Sequence, residues 1–177
     1  MTAPVAPSTP AWLSPWDLPH HSTEQPDHVL VVGGGLAGCT TAAALADRGI
    51  RVTLLERGAL SSAGSGNDQG VVYTRLSRKH SALVDFALQG FQFATGFYRA
   101  MFDNGKLTAH RDGELCGSFQ QSDNSGEMSA LRDALTGLQD LAQVLHREQA
   151  NAVLGLEQPY AGYWFPRSGW LRPAAVC

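Results

Sequence analysis

The sequence has few of the features that bind metal ions, form disulfides or cross membranes. Its three cysteines, Cys39, Cys116 and Cys177, lie far apart and form no CxxC or Cys/His ligand pattern, which argues against a zinc site and a disulfide framework. No apolar run approaches the length of a membrane span, and the N-terminus lacks the basic and apolar regions of a signal peptide. We therefore expect no metal, no membrane contact and a location in the reducing cytoplasm.

Charged residues are also scarce. They make up 16% of the 177 residues, and the net charge is −3. Domains that bind nucleic acid through bulk charge usually carry a clear basic surplus, which is absent here, so composition gives no support for such a partner. The length and a hydrophobic content of 44% fit one globular domain.

Prolines are concentrated at the start of the chain, where the first twenty residues hold five of the nine. This composition predicts that residues 1–27 form a proline-rich arm or linker, and that residues 28–177 form the folded domain. Trp12 and Trp16 could attach the arm to a neighbouring surface.

The stretch VLVVGGGLAGCTTAAALADRGIRVTLLERG, from Val29 to Gly58, predicts a strand, a glycine turn, a helix and a second strand. We expect a strand over His28–Val32, a helix over Leu36–Arg48 that Gly49 closes, and a strand over Arg51–Leu55. A unit this compact is a right-handed crossover in a parallel sheet. It indicates an α/β fold of the Rossmann type.

Gly33, Gly35 and Gly38 match the pattern G-x-G-x-x-G directly after the strand. The first glycine permits the tight turn, the second lets a pyrophosphate approach the main chain, and the third lets helix and strand pack closely. Glu56 ends the second strand, where a carboxylate can accept hydrogen bonds from ribose hydroxyls and disfavours a 2′-phosphate. The unit predicts a dinucleotide site, with NADP the least favoured ligand.

The glycine pattern alone leaves FAD and NAD open. The following loop, GSGNDQG (Gly64–Gly70), places small residues and main-chain amides where they could approach the diphosphate from the side opposite the helix. NAD-dependent dehydrogenases more often continue from the acid straight into a second helix. The loop therefore favours FAD.

Further helices and strands are predicted after this loop. The spacing of apolar residues indicates a helix over Ser81–Phe102 with a buried aromatic stripe, a strand over Glu114–Ser122, and a helix over Met128–Glu148. YAGYWFPRSGWLRP (Tyr160–Pro173) predicts a β-hairpin around Pro166–Gly169, with Pro173 opening a short helix.

Three stretches together resemble a known family: VVGGGLAGCTTAAALADRGIRVTLLERG, GSGNDQGVVYTRLSRKHSAL and YWFPRSGWLRPAAVC. They are similar to the FAD-dependent oxidoreductase domain of the bifunctional tRNA wobble-uridine modification enzymes of the MnmC family, within the D-amino-acid oxidase and glycine oxidase group. The resemblance implies a D-amino-acid oxidase-like FAD-binding fold. It also indicates that the chain corresponds to the N-terminal half of that domain and is truncated relative to it.

The resemblance assigns FAD to a defined set of residues. The set is Gly33, Gly35, Leu36, Ala37, Gly38, Glu56, Arg57, Ser65, Gly66, Asn67, Gln69 and Gly70. In this family the flavin oxidises a substrate C–N bond, and the tRNA enzymes remove the carboxymethyl group of carboxymethylaminomethyl-uridine at the wobble position. The implied partners are tRNA and either a methyltransferase domain or a second chain that carries the missing half.

Two other functions stay open at this point. The chain could belong to a stand-alone glycine- or sarcosine-type amine oxidase, or it could be a non-catalytic remnant or nucleotide-binding module, so whether it is an enzyme is uncertain. No residue is assigned as catalytic. The basic cluster from Arg75 to His80 is expected to be a solvated helix entry, with contact to tRNA or flavin phosphates as the alternative. Arg167 is expected to be exposed in a turn, and Asp112 and Glu114 to be structural.

Overall fold

The computed structural model describes residues 26–79 and 81–177, so almost the whole predicted arm, with Trp12 and Trp16, and His80 of the basic cluster lie outside the described residues. The elements run in the order β1 (His28–Val32), α1 (Leu36–Ala46), β2 (Arg51–Leu55), β3 (Gly70–Val72), α2 (Ala82–Asp103), β4 (Gly113–Glu114), β5 (Ser118–Ser122), α3 (Ser125–Ala134), β6 (Gln143–Leu145), α4 (Arg147–Leu154), β7 (Ala161–Phe165), β8 (Gly169–Leu171) and α5 (Pro173–Val176).

The first unit is the predicted strand, helix and strand. β1 and β2 pair in parallel with Val29 opposite Val52, and α1 ends two residues before the predicted Arg48, with Gly49 in the left-handed region at φ +79°. On one face of this pair Leu30 and Val32 are exposed, to 61% and 82%. Both faces of a parallel sheet are usually covered, so this apolar face is unusual.

The main core lies between helices α2 and α3 and the sheet β5–β7–β6, which is antiparallel. Phe165 on the central strand is completely buried. Its ring meets that of Phe91 from α2 edge to face, with centroids 5.9 Å apart, an arrangement that aromatic pairs prefer. Met128 and Leu131 of α3 close the same cluster.

The predicted hairpin is wrong, although both of its strands exist. β7 pairs with β5 and β6, whereas β8 pairs with β3 and β4 in a different three-stranded sheet. The turn between them carries the chain from one sheet to the other, and the buried Ser168 anchors it through a hydrogen bond from its hydroxyl to the carbonyl of Val72. Pairing partners from distant segments thus replace the local pairing.

The helix predicted at Pro173 is confirmed as α5.

The predicted helix Met128–Glu148 is also wrong. α3 ends at Ala134, Gly137 adopts φ +84°, and the chain then forms β6 and begins α4 at Arg147. Four of the leucines at helical spacing, Leu131, Leu135, Leu141 and Leu145, are buried, whereas Leu138 is 50% exposed. They lie on α3, on the segment that follows it and on β6 rather than on one helix. Similarly, the single strand predicted over Glu114–Ser122 is divided between β4 and β5, with Gly117 at φ +85° between them.

The aromatic stripe of α2 is only partly buried, contrary to the prediction. Phe91 lies in the main core, and Tyr98 lies in a second buried cluster with Leu107 and Leu171. In contrast, Leu83 and Phe86 are 77% and 75% exposed. The helix is 22 residues long, and the described residues leave Leu83 and Phe86 of its first turns uncovered. Among the described residues, no helix is both long and apolar enough to cross a bilayer.

Candidate functional site

The glycine turn joins β1 to α1 and has the geometry that each glycine was expected to permit. Gly33 adopts φ +105°, and its N–H donates to the carbonyl of Leu55 at 2.8 Å. A Cβ on Gly38 would lie 1.8 Å from the Gly33 carbonyl oxygen, and a Cβ on Gly35 would lie 2.9 Å from the hydroxyl of Ser65. The turn therefore brings bare main chain to the N-terminus of α1, where N–H groups and the helix dipole favour an anion.

Glu56 extends from the end of β2 to this turn. Its carboxylate accepts hydrogen bonds from the N–H of Gly34 at 2.6 Å and from the N–H of Gly58 at 2.8 Å. The bonds from Gly58 and Gly34 hold the pKa of Glu56 below its ordinary value of 4.5, and the positive charge of Arg57 adds to them. The carboxylate is exposed and ionised at neutral pH, with lone pairs left to accept ribose hydroxyls.

The loop after Glu56 folds back over the glycine turn. The N–H of Ser61 donates to the carbonyl of Gly34 at 2.8 Å, and its hydroxyl donates to the carbonyl of Ser65. The hydroxyl of Ser65 then accepts the N–H of Leu36, the first residue of α1, at 2.9 Å. This contact takes the place of a side-chain N-cap, which the N-cap residue Gly35 cannot supply.

Ser61 was missed by the sequence reasoning. It is 5% exposed and adopts φ +59°, a region that serine seldom occupies. The position of Ser61 also restricts Gly66, because a Cβ on Gly66 would lie 2.9 Å from the Ser61 carbonyl oxygen. The available signal was the pair of adjacent serines, Ser61 and Ser62, in a glycine-rich loop, but the sequence does not show which of the two side chains is buried.

The remaining predicted cofactor residues surround this centre. Ala37 and Arg57 are exposed beside the turn, and Asn67 and Gln69 are exposed on the segment that leads to β3. Gly70 and Leu36 line an apolar cleft of about 360 Å³ that continues to α2 and β8. The structure thus places the twelve predicted residues on the glycine turn, the first residues of α1, the segment that follows β2 and the start of β3. Their assignment to FAD stays a prediction.

Other candidate groups are held by structural partners. Asp112 accepts hydrogen bonds from the side chain of Arg111 and the N–H of Thr108, which lower its pKa to about 2. Glu114 pairs with His110 at 3.0 Å. Asp112 and Glu114 therefore each pair with another residue and do not form a pair of carboxylates. Among the described residues, no group of three or more side chains is suited to bind a metal ion.

The residues at the turn fit the adenosine diphosphate half of a flavin dinucleotide. The turn has three glycines whose positions exclude or disfavour a Cβ, a helix N-terminus with donors, and an ionised acceptor at the end of β2.

The family comparison agrees with this fit. The profile of the FAD dependent oxidoreductase family matches residues 28–177. The chain belongs to this family. The Rossmann-type, D-amino-acid oxidase-like α/β fold expected from the sequence is thereby confirmed.

Two relatives identify the branch of the family that this chain resembles. It is 37% identical over 171 residues to the tRNA 5-methylaminomethyl-2-thiouridine biosynthesis bifunctional protein MnmC of Pseudomonas putida, covering 93% of this chain and 24% of that protein. It is 41% identical over 152 residues to the protein of the same name from Pseudomonas aeruginosa, covering 84% and 22%. The chain spans about a quarter of the length of these relatives.

Solved structures share the fold at lower identity. Glycine oxidase from Geobacillus kaustophilus superposes with a TM-score of 0.61 at 20% identity, covering 85% of this chain and 41% of that one. L-Amino acid deaminase from Proteus myxofaciens gives a TM-score of 0.62 at 20% identity, covering 89% and 37%. At this identity the likeness establishes the fold alone.

The hydrogen bonds of Glu56 predict a dependence of stability on pH. Because the folded state has the lower pKa, the unfolded state binds more protons, and stability rises with pH. The contribution of Glu56 to the free energy of unfolding is complete above its ordinary pKa of 4.5. It is lost as the pH falls through the lower pKa of the folded state. Denaturant titrations across this range should show a smaller acid loss for Glu56→Gln than for the wild type.

Glu157 provides the control for that measurement. It is exposed, and in the described part of the chain it accepts no main-chain hydrogen bond. Glu157→Gln should retain the pH dependence of the wild type. An equal acid loss in Glu56→Gln and the wild type would show that the contacts with Gly34 and Gly58 do not stabilise the turn.

Proposed function

We propose that this chain forms the dinucleotide-binding part of an FAD-dependent enzyme that removes the carboxymethyl group from carboxymethylaminomethyl-uridine at the wobble position of tRNA. The observation that carries the proposal is the turn Gly33–Gly38 closed by Glu56 and Ser65, in a chain 37% identical to a protein of tRNA 5-methylaminomethyl-2-thiouridine biosynthesis. The proposal includes tRNA as partner and the cytoplasm as location.

The protein's own groups would bind and orient the cofactor. The N–H groups at the start of α1 would donate to the diphosphate, with the hydroxyl of Ser65 free to rotate from Leu36 toward a phosphate oxygen. Glu56 would accept from the ribose hydroxyls. Gly38 keeps α1 close to β1, so the helix N-terminus points at the turn.

FAD, when bound, supplies the acceptor for the two electrons and the hydrogen lost from the amine. Oxidation of the bond between the amine nitrogen and the carboxymethyl CH₂ would remove a hydride equivalent from that carbon and a proton from the nitrogen and give an imine, and water would hydrolyse the imine to the aminomethyl base and glyoxylate. The chain's residues that would hold the amine are not assigned. Two clefts beside β3 are the space that we propose for it.

The test begins with the absorption spectrum of the purified chain after incubation with FAD and gel filtration. We expect yellow flavin to elute with the protein and Glu56→Ala to retain less of it. Under anaerobic conditions, RNA that carries carboxymethylaminomethyl-uridine should bleach the bound flavin and release glyoxylate, whereas glycine and sarcosine should not.

Each contrary result selects another function. Bleaching by glycine or sarcosine, and not by the RNA, would indicate a small-molecule amine oxidase. A colourless protein, or a bound flavin that no amine reduces, would indicate a non-catalytic module.

A further inference from the structure

A second cleft, of about 540 Å³, lies between the segment Val71–Leu76 and the edge strand β5. Its volume is within the range of roughly 300–1,000 Å³ that is usual for ligand pockets. A hydrogen bond from the side-chain amide of Gln120 to the carbonyl of Thr74, at 2.7 Å, connects its two walls. The cleft is therefore a defined feature of the fold, separate from the glycine turn.

The polar groups of this cleft include two without partners. The hydroxyls of Ser118 and Tyr163 are buried and complete no hydrogen bond with the described residues. Ser122 lies near the Tyr163 hydroxyl without completing a bond to it. Tyr163 as a residue is only 8% exposed. Buried polar groups are nearly always paired, so both hydroxyls are suited to bond a ligand that enters the cleft.

The rim of the cleft carries an aromatic ring and a cation. Tyr73 is 53% exposed, and Arg75, two residues further, is exposed and forms no ion pair within the described residues. None of the described residues that line the cleft is acidic, and the negative charge of Glu127 acts on the Tyr163 hydroxyl from outside the lining. The lining thus favours a ligand that has a flat ring, several hydrogen-bonding atoms and a negative charge.

A nucleotide within a single strand has this chemistry. Proteins bind unpaired bases by stacking them on aromatic side chains, by bonding their edges with amides and hydroxyls, and by contacting phosphates with cations. Gln121, exposed on the same wall, adds a further amide. A base in a duplex would be stacked and paired already, so it could not enter.

The cleft also shares a wall with the apolar cleft beside the predicted cofactor site. Val71 and Tyr73 line both this cleft and the apolar cleft of about 360 Å³ that reaches Leu36 at the start of α1. The wall formed by β3 and the residues after it is therefore shared by the two spaces. A nucleotide held in the first cleft would lie next to the second.

We propose that this cleft binds one unpaired nucleotide of the RNA substrate, with Tyr73 stacking on the base and Arg75 contacting a phosphate. The inference rests on the proposed function for the identity of the RNA, and it names Tyr73 and Arg75 as substrate-positioning residues. The hydroxyls of Ser118 and Tyr163 and the amide of Gln121 bond the edge of the base.

The test measures fluorescence anisotropy of a labelled anticodon stem-loop RNA with the whole chain at several salt concentrations. Tyr73→Ala should weaken binding by roughly 5- to 150-fold without changing the salt dependence. Arg75→Gln should reduce the slope of log affinity against log salt by about 0.7, the value for one phosphate contact on a single strand. A fully paired duplex of the same sequence should bind more weakly than the loop.

Two variants outside the cleft serve as matched controls. Tyr160 is 46% exposed, and Arg99 is an exposed arginine on α2, so Tyr160→Ala and Arg99→Gln remove the same groups elsewhere. Equal effects in cleft and control variants, or equal binding of loop and duplex, would overturn the proposal. If the cleft instead bound a strand of another protein along β5, the RNA affinity would be the same in every variant. That result would also overturn the proposal. Flavin absorbance of the same preparations tests the proposed function separately.

Discussion

Gly38→Ala is expected to destabilise the chain by about 1–3 kcal/mol or more and to abolish the retention of FAD. The new Cβ would lie 1.8 Å from the Gly33 carbonyl oxygen, whereas carbon–oxygen contacts need roughly 3.3 Å. Main chain cannot rotate away as a side chain can. The helix must therefore move from β1, and the N–H groups at its start move with it.

Gly90→Ala is the matched control for this prediction. Gly90 is also a glycine within a helix, but no heavy atom lies within 4 Å of the position of its Cβ. Alanine there should stabilise the chain by up to about 1 kcal/mol, because glycine is the poorer helix former. Urea denaturation and the flavin spectrum of both variants provide the measurement. Wild-type stability and flavin retention in Gly38→Ala would contradict the close packing of α1 on β1.

Phe165→Ala is expected to give the largest loss of stability, about 3–5 kcal/mol. The ring of Phe165 is completely buried on β7, the central strand of its sheet, and it packs edge to face on Phe91. Alanine would leave a cavity between α2 and the sheet that close-packed neighbours can fill only in part. The free energy of unfolding from urea titration measures this loss.

Phe93→Ala tests whether the loss depends on burial rather than on the removal of a ring. Phe93 is 74% exposed on α2, and surface substitutions usually change stability by within about 0.5 kcal/mol. Its stacked contact with Phe97, with centroids 6.0 Å apart, adds little in water. Similar losses in Phe165→Ala and Phe93→Ala would show that the core is elsewhere than between α2 and β7.

Prediction from the sequence succeeded where structure depends on neighbours in the chain. The unit from β1 to β2 follows from a strand, a glycine turn and a helix in close succession, and its ends differ from the predicted ones by at most two residues. Glu56 was placed correctly at the end of β2, since the length of the crossover sets where the strand ends. The N-terminal proline of α5 was likewise a local signal.

Prediction failed where the partner of a segment lies far away in the chain. The leucines between Leu131 and Leu145 have helical spacing, but β6 pairs with β7, which outweighs local propensity. The short turn between β7 and β8 predicted a hairpin, but β7 pairs with β5 and β6 in one sheet and β8 pairs with β3 and β4 in another. The exposed residues Leu83 and Phe86 show that an apolar stripe does not by itself specify what covers it.

The sequence by itself determined the unit of strand, glycine turn, helix and strand from β1 to β2, because glycine conformations, strand length and the position of an acid are set by covalent geometry over a few tens of residues. Only the tertiary structure decided that Ser65 contacts Leu36 across 29 residues, and that Tyr73 and Arg75 line one cleft with Ser118 and Tyr163. Main-chain hydrogen bonding is the same for every strand. Which strands pair, and which side chains then share a cleft, depends on how the whole chain buries its apolar surface.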